Sequence, residues 1–405
     1  MKKSKWTALF LSNFLGVFND NLLKNSVIFV AVTWALPGWM TQSQLISLVS
    51  ASLVLPYLIL SPVGGRLAVL HSKKKIFRFF KLLEIPIMLF ASLSFYFQWV
   101  FPAVLSVLIM GTQSCLYSPS KYSLIRDIGG EEGAAFGSGM FETMAFLGIL
   151  IGTILGSVVS DHYSFILVSS LFLFLALAGY MVTRQIRATE QPEATDDKAH
   201  LNPLCFLVDS FRFAAGHKHL NSAVFGASAF WLIGGMLQMN IVIHTKHIYH
   251  AENTQTGLVM AVAAIGIATG CWTAGKISGK RAKKGLILIG SITMTAMFLL
   301  LATVRTGFPV YAVLVGIAAF AGGFVQVPSL AIIQQSDLGR KIGDVFAYLN
   351  LVTFILVLFG TLIFSLTTYF SSENSMVVFG VLSFLCFVVF LYFMLVSPDF
   401  RKDMW

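Results

Sequence analysis

Charge is what this sequence has least of. Only 11% of its 405 residues are Asp, Glu, Lys or Arg, against about 25% in a soluble domain. With 57% of residues hydrophobic and a mean hydropathy of +0.80, the composition excludes a soluble fold and reads as an integral membrane protein. Cysteine is sparse too. Cys115, Cys205, Cys271 and Cys386 stand apart from one another, with no disulfide or metal spacing. No nucleophile–base or metal constellation is present, so the chain is not expected to be an enzyme or to hold a cofactor. The formal net charge of +10 would suit nucleic acid only if it were gathered on one surface. The basic residues fall instead in short loops between apolar runs, which excludes nucleic acid as a partner.

Those runs are what the sequence does have. They lie at roughly 6–36, 45–70, 78–98, 101–122, 138–160 and 163–183, and again at roughly 220–245, 254–275, 285–304, 308–333, 344–370 and 375–397. Each can cross a bilayer, for which about 20 apolar residues suffice. The expected organisation is an N-terminal six-helix bundle over 1–183, a cytoplasmic linker over 184–219 and a C-terminal six-helix bundle over 220–405. Within the linker, Ala188 to Lys198 reads as flexible and Phe206–Phe213 as a short helix along the membrane surface. All basic residues except Lys24, Lys121, Lys246 and Arg305 fall on one side of this topology. The positive-inside bias therefore puts both termini in the cytoplasm. Lys2, Lys3 and Lys5 precede the first run as in a signal peptide. That run is too long for an h-region and lacks a small-residue cleavage site, so a retained first helix is expected.

The two halves repeat. Gly65-Arg66-Leu67-Ala68 with Lys73-Lys74 matches Gly275-Lys276-Ile277-Ser278 with Lys283-Lys284. Leu116-Tyr117-Ser118-Pro119-Ser120 matches Val325-Gln326-Val327-Pro328-Ser329, and Gly152-Thr153 matches Gly360-Thr361, all at a nearly constant offset. Twelve transmembrane helices in two repeated six-helix halves, an all-α integral membrane architecture, resemble the fold of major facilitator transporters. The resemblance implies a cytoplasmic gate motif of the form Gly-x-x-x-Asp-x-x-Gly-Arg after the second span, here carried by Gly65 and Arg66, with Gly275 and Lys276 in the second half. The acid of that motif is missing, since Val69 and Leu70 stand at its place.

One stretch breaks the apolar pattern: Asn19, Asp20, Asn21, Lys24 and Asn25 sit inside the first run. A carboxylate at membrane depth costs about 2.5–3.5 kcal/mol or more, so its helix faces protein or a water-filled cavity. Asp20 and Lys24 are four apart and share a helical face, where they can partly neutralise each other. Two readings stand: the polar group glues helix 1 to its neighbours, or it forms a transport site. Gln113, Tyr117 and Lys121 line one face of the fourth run, with Pro119 kinking it. Lys121 either contacts a substrate phosphate, Asp20 or Glu142, or snorkels to the inner headgroups. Glu142 belongs to the fifth run, and Glu84 in the third is expected to pair with Lys81 near the inner surface. In the seventh run Gln238 and Asn240 lie deep, while His244, His247 and His250 are spaced either for a metal or as the solvated end of a helix. Gln326 belongs to the tenth run and Asn350 to the eleventh. Charge confined to one half, with apolar walls in the other, suits an amphiphile.

Phe14-Leu15-Gly16-Val17-Phe18-Asn19-Asp20-Asn21-Leu22-Leu23-Lys24-Asn25 resembles the start of bacterial lysophospholipid transporters, a major facilitator branch often fused or adjacent to an acyltransferase. Ser118-Pro119-Ser120-Lys121-Tyr122, Phe230-Trp231-Leu232-Ile233-Gly234 and Gly275-Lys276-Ile277-Ser278-Gly279-Lys280 are similar to motifs of the same branch. The resemblance implies a flippase of the bacterial inner membrane. It would move lysophospholipids from the outer to the inner leaflet by alternating access, with Asp20 and Lys121 as its functional charges. A coupling cation is a possible partner. The sequence has no His-x-x-x-x-Asp acyltransferase motif, so a separate acyltransferase is the expected enzymatic partner. Span 7 departs from the branch in lacking an arginine. Two alternatives remain open from the residues alone: a cation-coupled exporter of hydrophobic drugs, and a membrane partner that recruits an acyltransferase.

Overall fold

The computed structural model describes residues 4–31, 33–38, 40–161, 163–192, 200–396 and 398–402. Lys2, Lys3, Lys198 and the linker stretch 193–199 lie outside them. Every regular element among the described residues is helical: α1 (Ser4–Ala31), α2 (Gln42–Leu70), α3 (Lys73–Tyr96), α4 (Val100–Asp161), α5 (Phe165–Thr183), α6 (Pro203–Ala215), α7 (Leu220–Tyr249), α8 (Asn253–Ser278), α9 (Gly285–Thr303), α10 (Phe308–Gln335), α11 (Ile342–Phe370), α12 (Ser375–Val396) and α13 (Pro398–Lys402). Nine of these are long and apolar enough to cross a membrane. At 62 residues, α4 is long enough for two crossings. Helices α1 and α3, of 28 and 24 residues, have the length but carry more polar side chains. Together they supply the twelve crossings.

The fourth and fifth runs are joined differently from the sequence expectation. No open loop separates them; the helix continues through Arg126 and is interrupted only at Gly130, whose φ of 62° and ψ of −168° are non-helical. Glycine takes that conformation without a Cβ penalty, so the chain changes direction there without unwinding. Helix α3 begins at Lys73, earlier than the apolar run, because its first amides are satisfied from outside the helix. Ser72 accepts from Lys75 N. Glu190 accepts from Lys73 N at 2.6 Å and Lys74 N at 3.2 Å, a carboxylate placed where the helix dipole favours one. The linker helix α6 covers the expected 206–213 segment. Phe206 and Ala214 are buried, while Leu204, Val208 and Phe211 are exposed along one face.

The chain forms two compact units that are discontinuous in sequence. The first comprises Met1–Ile128, Leu147–Phe211 and Leu338–Leu351; the second comprises Gly129–Phe146, Arg212–Asp337 and Val352–Trp405. The core of the first gathers Leu22, Leu23 and Val27 of α1, Met88, Ala91 and Phe95 of α3, Ala103 and Val107 of α4, and Phe172 and Ala176 of α5. Its closest packing follows Gly148, Gly152 and Gly156 along α4. A Cβ on Gly152 would come within 2.6 Å of Phe18 O, and one on Gly156 within 2.8 Å of Asn25 Cβ. Lipid tails offer no hydrophobic force between helices, so small residues that admit another backbone supply the association. In the second unit Gly360, the repeat partner of Gly152, stands against α7, where a Cβ would meet Leu232 Cγ at 2.9 Å. The repeated glycines therefore do the same work in each unit.

At the end of the chain Asp399 accepts from Lys218 at 2.5 Å and His219 at 3.2 Å. The hydrogen bond from Lys218, and then that from His219, hold its carboxyl down at about 2. A lowered folded value contributes stability above the ordinary carboxylate range and loses it as pH falls. Hydrogen exchange should show α13 loosening as pH drops from about 4 toward 2, with the buried helices unchanged. Separately, Gly152→Leu and Gly360→Leu should each destabilise the detergent-solubilised protein by about 1–3 kcal/mol or more through overpacking, read as a lower melting temperature.

Candidate functional site

The polar group of α1 divides by partner. Asn19 and Asn25, both buried, tie α1 to other helices: Asn19 donates to Glu84 Oε1 on α3 at 2.6 Å and Asn25 to Thr153 Oγ1 on α4 at 3.0 Å. Asn21 donates to Val17 O at 2.8 Å, and Lys24 donates to Asn21 Oδ1 at 3.3 Å. The ion pair that the Asp20/Lys24 spacing invites does not form among the described residues, because the Asn21 amide takes up the ammonium. Asp20, half-buried, instead accepts from Ser114 Oγ on α4 at 2.9 Å. Asn19 and Asn25 thus glue α1 to its neighbours, while the adjacent Asp20 stays half-buried.

The α3 partner of Asn19 belongs to a sealed ion pair. Lys81 and Glu84 sit one turn apart on α3, 0% and 1% exposed, and they pair through Glu84 Oε2. The Lys81–Glu84 pairing agrees with the sequence reading, but the pair is closed from solvent and bonded to α1 through Asn19. Burying two ions costs several kcal/mol each unless geometry and added hydrogen bonds offset it. Here the second carboxylate oxygen is occupied by the Asn19 amide. Gly16 makes the space, since a Cβ there would stand 2.5 Å from the Lys81 ammonium.

Tyr117 is held between two cations. Its ring stacks on Phe77 with centroids 5.3 Å apart, while Lys81 Nζ lies 5.9 Å and Lys121 Nζ 5.5 Å from its centroid, within cation–π range. Lys121, half-buried, also donates to Asn13 Oδ1 at 3.2 Å. Gln113, one turn before Tyr117, donates to Phe80 O of α3 at 2.6 Å. The face Gln113–Tyr117–Lys121 thus turns toward α1 and α3, where Asp20 also lies. Lys81 and Ser114 were not among the site residues expected from sequence. The signal available was the i, i+3 acid–base pair in an apolar helix.

A second polar cluster closes the basic end of the first unit, where the gate motif lacks its acid. Arg340 donates to Val69 O at 3.0 Å and His71 O at 2.6 Å, the last carbonyls of α2, which a cation satisfies well. Its guanidinium also reaches Glu190 at 3.8 Å and Gln191 O at 3.3 Å. Glu190 is the same carboxylate that caps α3. Beside it the buried pair Lys73–Asp127 closes at 2.8 Å. Burial pushes the Lys73 ammonium down and the Asp127 carboxyl up, and their mutual attraction opposes both shifts. A Cβ on Gly65 would lie 2.8 Å from Ala347 Cβ and 3.0 Å from Asp344 Oδ1, so the glycine admits the first turns of α11. Arg66 is half-buried and makes no ion pair among the described residues.

The remaining candidates belong to the second unit. Glu142 is fully buried beside Thr143, whose hydroxyl donates to Ala268 O on α8 at 3.0 Å. Asn240 is buried and donates to Ser375 O at 3.1 Å, whereas Gln238 is exposed on α7. Only one of these two amides lies deep, because at two residues apart they occupy different helical faces. Gln326 is buried on α10 with its Oε1 lacking a hydrogen bond. The three histidines separate: His244 is buried against Ser375 Oγ at 2.8 Å, His247 pairs with exposed Glu373 at 3.7 Å, and His250 caps α7. Gly275 faces Gly139, its Cβ position 3.1 Å from that Cα. Lys276 is exposed, with Nζ 3.8 Å from the Trp272 ring centroid.

Known proteins share this architecture. A human organic anion transporter, MFSD10, superposes with a TM-score of 0.78 at 16% identity, covering 96% of this chain and 99% of that one. The fucose:proton symporter FucP of E. coli gives 0.72 at 14% identity, covering 97% and 98%. In sequence, the chain is 24% identical over 335 residues to a protein of Pectobacterium carotovorum named lysophospholipid transporter LplT, covering 81% of this chain and 77% of that protein. It is 26% identical over 346 residues to the protein of that name in Shigella flexneri, covering 82% and 80%. The family model described as Major Facilitator Superfamily matches residues 9–361. With its helical architecture, its repeated glycines and that match, the chain belongs to the major facilitator superfamily and is a multi-pass membrane transporter.

Proposed function

We propose that this transporter carries lysophospholipids from the outer to the inner leaflet of a bacterial inner membrane by alternating access, with both termini in the cytoplasm. The observation that carries the reading is the placement of opposite charges. Asp20, bonded to Ser114, and Lys121, over the Tyr117 ring, are each half-buried beside the same stretch of α4. A zwitterionic head group has the complementary chemistry: its amine suits Asp20 and its phosphate suits Lys121. The names of the relatives from Pectobacterium and Shigella support the substrate class. In this reading Asn19, Asn21 and Lys24 shape the α1 surface around the acid. Glu142, Asn240 and Gln326 provide polar points in the second unit, and Gln238 an exposed one. Re-acylation falls to a separate acyltransferase, and Asp20 is where a coupling cation would act.

The cytoplasmic gate in this reading is the Arg340 cluster. Arg340 on the α2 carbonyls replaces the ion pair that Val69 cannot make, and Gly65 sets the approach of α11. Gly275 with Lys276 is the second-half counterpart, and Arg66 adds charge to the same surface.

Reconstituted protein should protect labelled lysophosphatidylethanolamine from an external quencher as it moves between leaflets. Asp20→Asn and Lys121→Gln should each lower that rate by about tenfold or more, the worth of one charged hydrogen bond; an unchanged rate in Asp20→Asn contradicts the assigned role. Arg340→Ala should speed amide exchange at 66–72 and 338–346 by about tenfold or more while leaving α3 beyond its first turn protected. Unaltered exchange at α2 would remove the gate reading.

A further inference from the structure

Helix α6 (Pro203–Ala215) has one face that the transport reading leaves without a task. Leu204, Val208 and Phe211 follow at i, i+4 and i+7, which puts them on one stripe. They are 73%, 46% and 55% exposed. Phe206, 2% exposed, stands about 200° round the helix from Leu204. The stripe therefore points away from the side that packs on protein. A charged flank is marked by Asp209, which pairs with His200 at 3.6 Å while both side chains stay at least half exposed. Packed side, apolar stripe and charged flank are three separate faces of one helix.

The place of α6 in the chain limits what can cover that stripe. With 13 residues it is too short to cross a bilayer. It ends at Ala215, and α7, which is long and apolar enough to cross one, begins at Leu220. The turn between them is closed by hydrogen bonds from Gly216 N to Phe213 O at 3.1 Å and from Leu220 N to His217 O at 3.2 Å. The end of α6 thus stays within about 17 Å of the start of α7. A short helix held at that depth, with separate apolar and charged faces, lies in the plane of the interface with its apolar face among lipid. The stretch after α5 is held differently, by protein: Arg78 donates to Arg184 O at 2.9 Å and Ile186 O at 3.3 Å, and Lys74 donates to Ala188 O at 2.9 Å.

We infer that α6 is a membrane tether, whose Leu204–Val208–Phe211 stripe inserts among the acyl chains of the leaflet that α7 enters. The partner is the phospholipid bilayer surface, met by apolar contact. Charge plays the smaller part, because Asp209 and Arg212 are the only charged residues of α6 and cancel. Insertion therefore depends little on lipid charge, unlike the docking of a polybasic segment on anionic lipid. The connection between α5 and α7 is held twice, to α3 through its first residues and to the bilayer through α6.

The test uses the full chain in vesicles of phosphatidylcholine, with and without phosphatidylglycerol. Cys205 is exposed while Cys115, Cys271 and Cys386 are buried, so Cys205→Ser gives a background for single spin labels. Labels on Leu204→Cys, Val208→Cys and Phe211→Cys should be relaxed by oxygen and shielded from a water-soluble nickel chelate. A label on Asp209→Cys should show the reverse, and both patterns should hold in either lipid. Stripe labels as open to the chelate as the one at 209 overturn the inference. So does shielding from both reagents, the mark of a protein covering the stripe, and so does a pattern that appears only with phosphatidylglycerol. A second measurement keeps Cys205 and needs no label. Val208→Glu should speed amide exchange across 206–214 by about tenfold or more, although glutamate is the better helix former, while Val208→Leu leaves exchange as slow as before. Unchanged or slower exchange in Val208→Glu contradicts the tether even if a cysteine variant fails to fold.

Discussion

A charge inside an apolar chain has to be compensated by another part of the same molecule, and the bond from Asn19 to Glu84 is where this transporter does so. It joins the polar turn of α1 to the ion pair of α3. Much of the site follows from that junction. With Glu84 held by Asn19, Lys81 is fixed beneath Gly16 and beside Tyr117. With Tyr117 stacked on Phe77, Lys121 has a ring to stand over. Asp20, next to Asn19 in sequence, turns to Ser114 on α4. Desolvated charges are expensive, so the inner pair is fully bonded while the outer pair stays half-open.

The helices carrying these groups approach closely because glycine lines their contacts. Gly152 and Gly360 are equivalent in the internal repeat and pack against α1 and α7 in their respective units. Gly65 and Gly275 are likewise equivalent: one receives the first turns of α11, the other the Gly139 region of α4. Each unit thereby includes a segment from the opposite half of the sequence. At the basic end of the first unit a guanidinium bonds the main-chain carbonyls of Val69 and His71. Arg340 suits this task because its planar fork serves several acceptors at once.

The sequence was legible wherever periodicity and composition carry the information. The apolar runs, the repeat and the basic loops lead to twelve crossings, and the polar stretch of α1 marks the turn that bonds to α3 and α4. The Lys81–Glu84 pair was also readable from its spacing. Two things were not. The partner of Asp20 depends on which helices adjoin α1, and that is set by the glycines of α4 rather than by charge spacing, so Ser114 took the place expected of Lys24. The contacts of Arg340 were hidden because it bonds main-chain carbonyls, which leave no residue signature at Val69 or His71.

The compensation itself is open to direct measurement. Thermal unfolding of the detergent-solubilised protein should be compared for the unaltered chain, Lys81→Met, Glu84→Leu and the double variant. Each single change leaves one charge buried without its partner and should cost about 3–5 kcal/mol, while the double change, which removes both charges, should cost much less than the sum. Additive losses, or single variants as stable as the unaltered chain, would contradict the account.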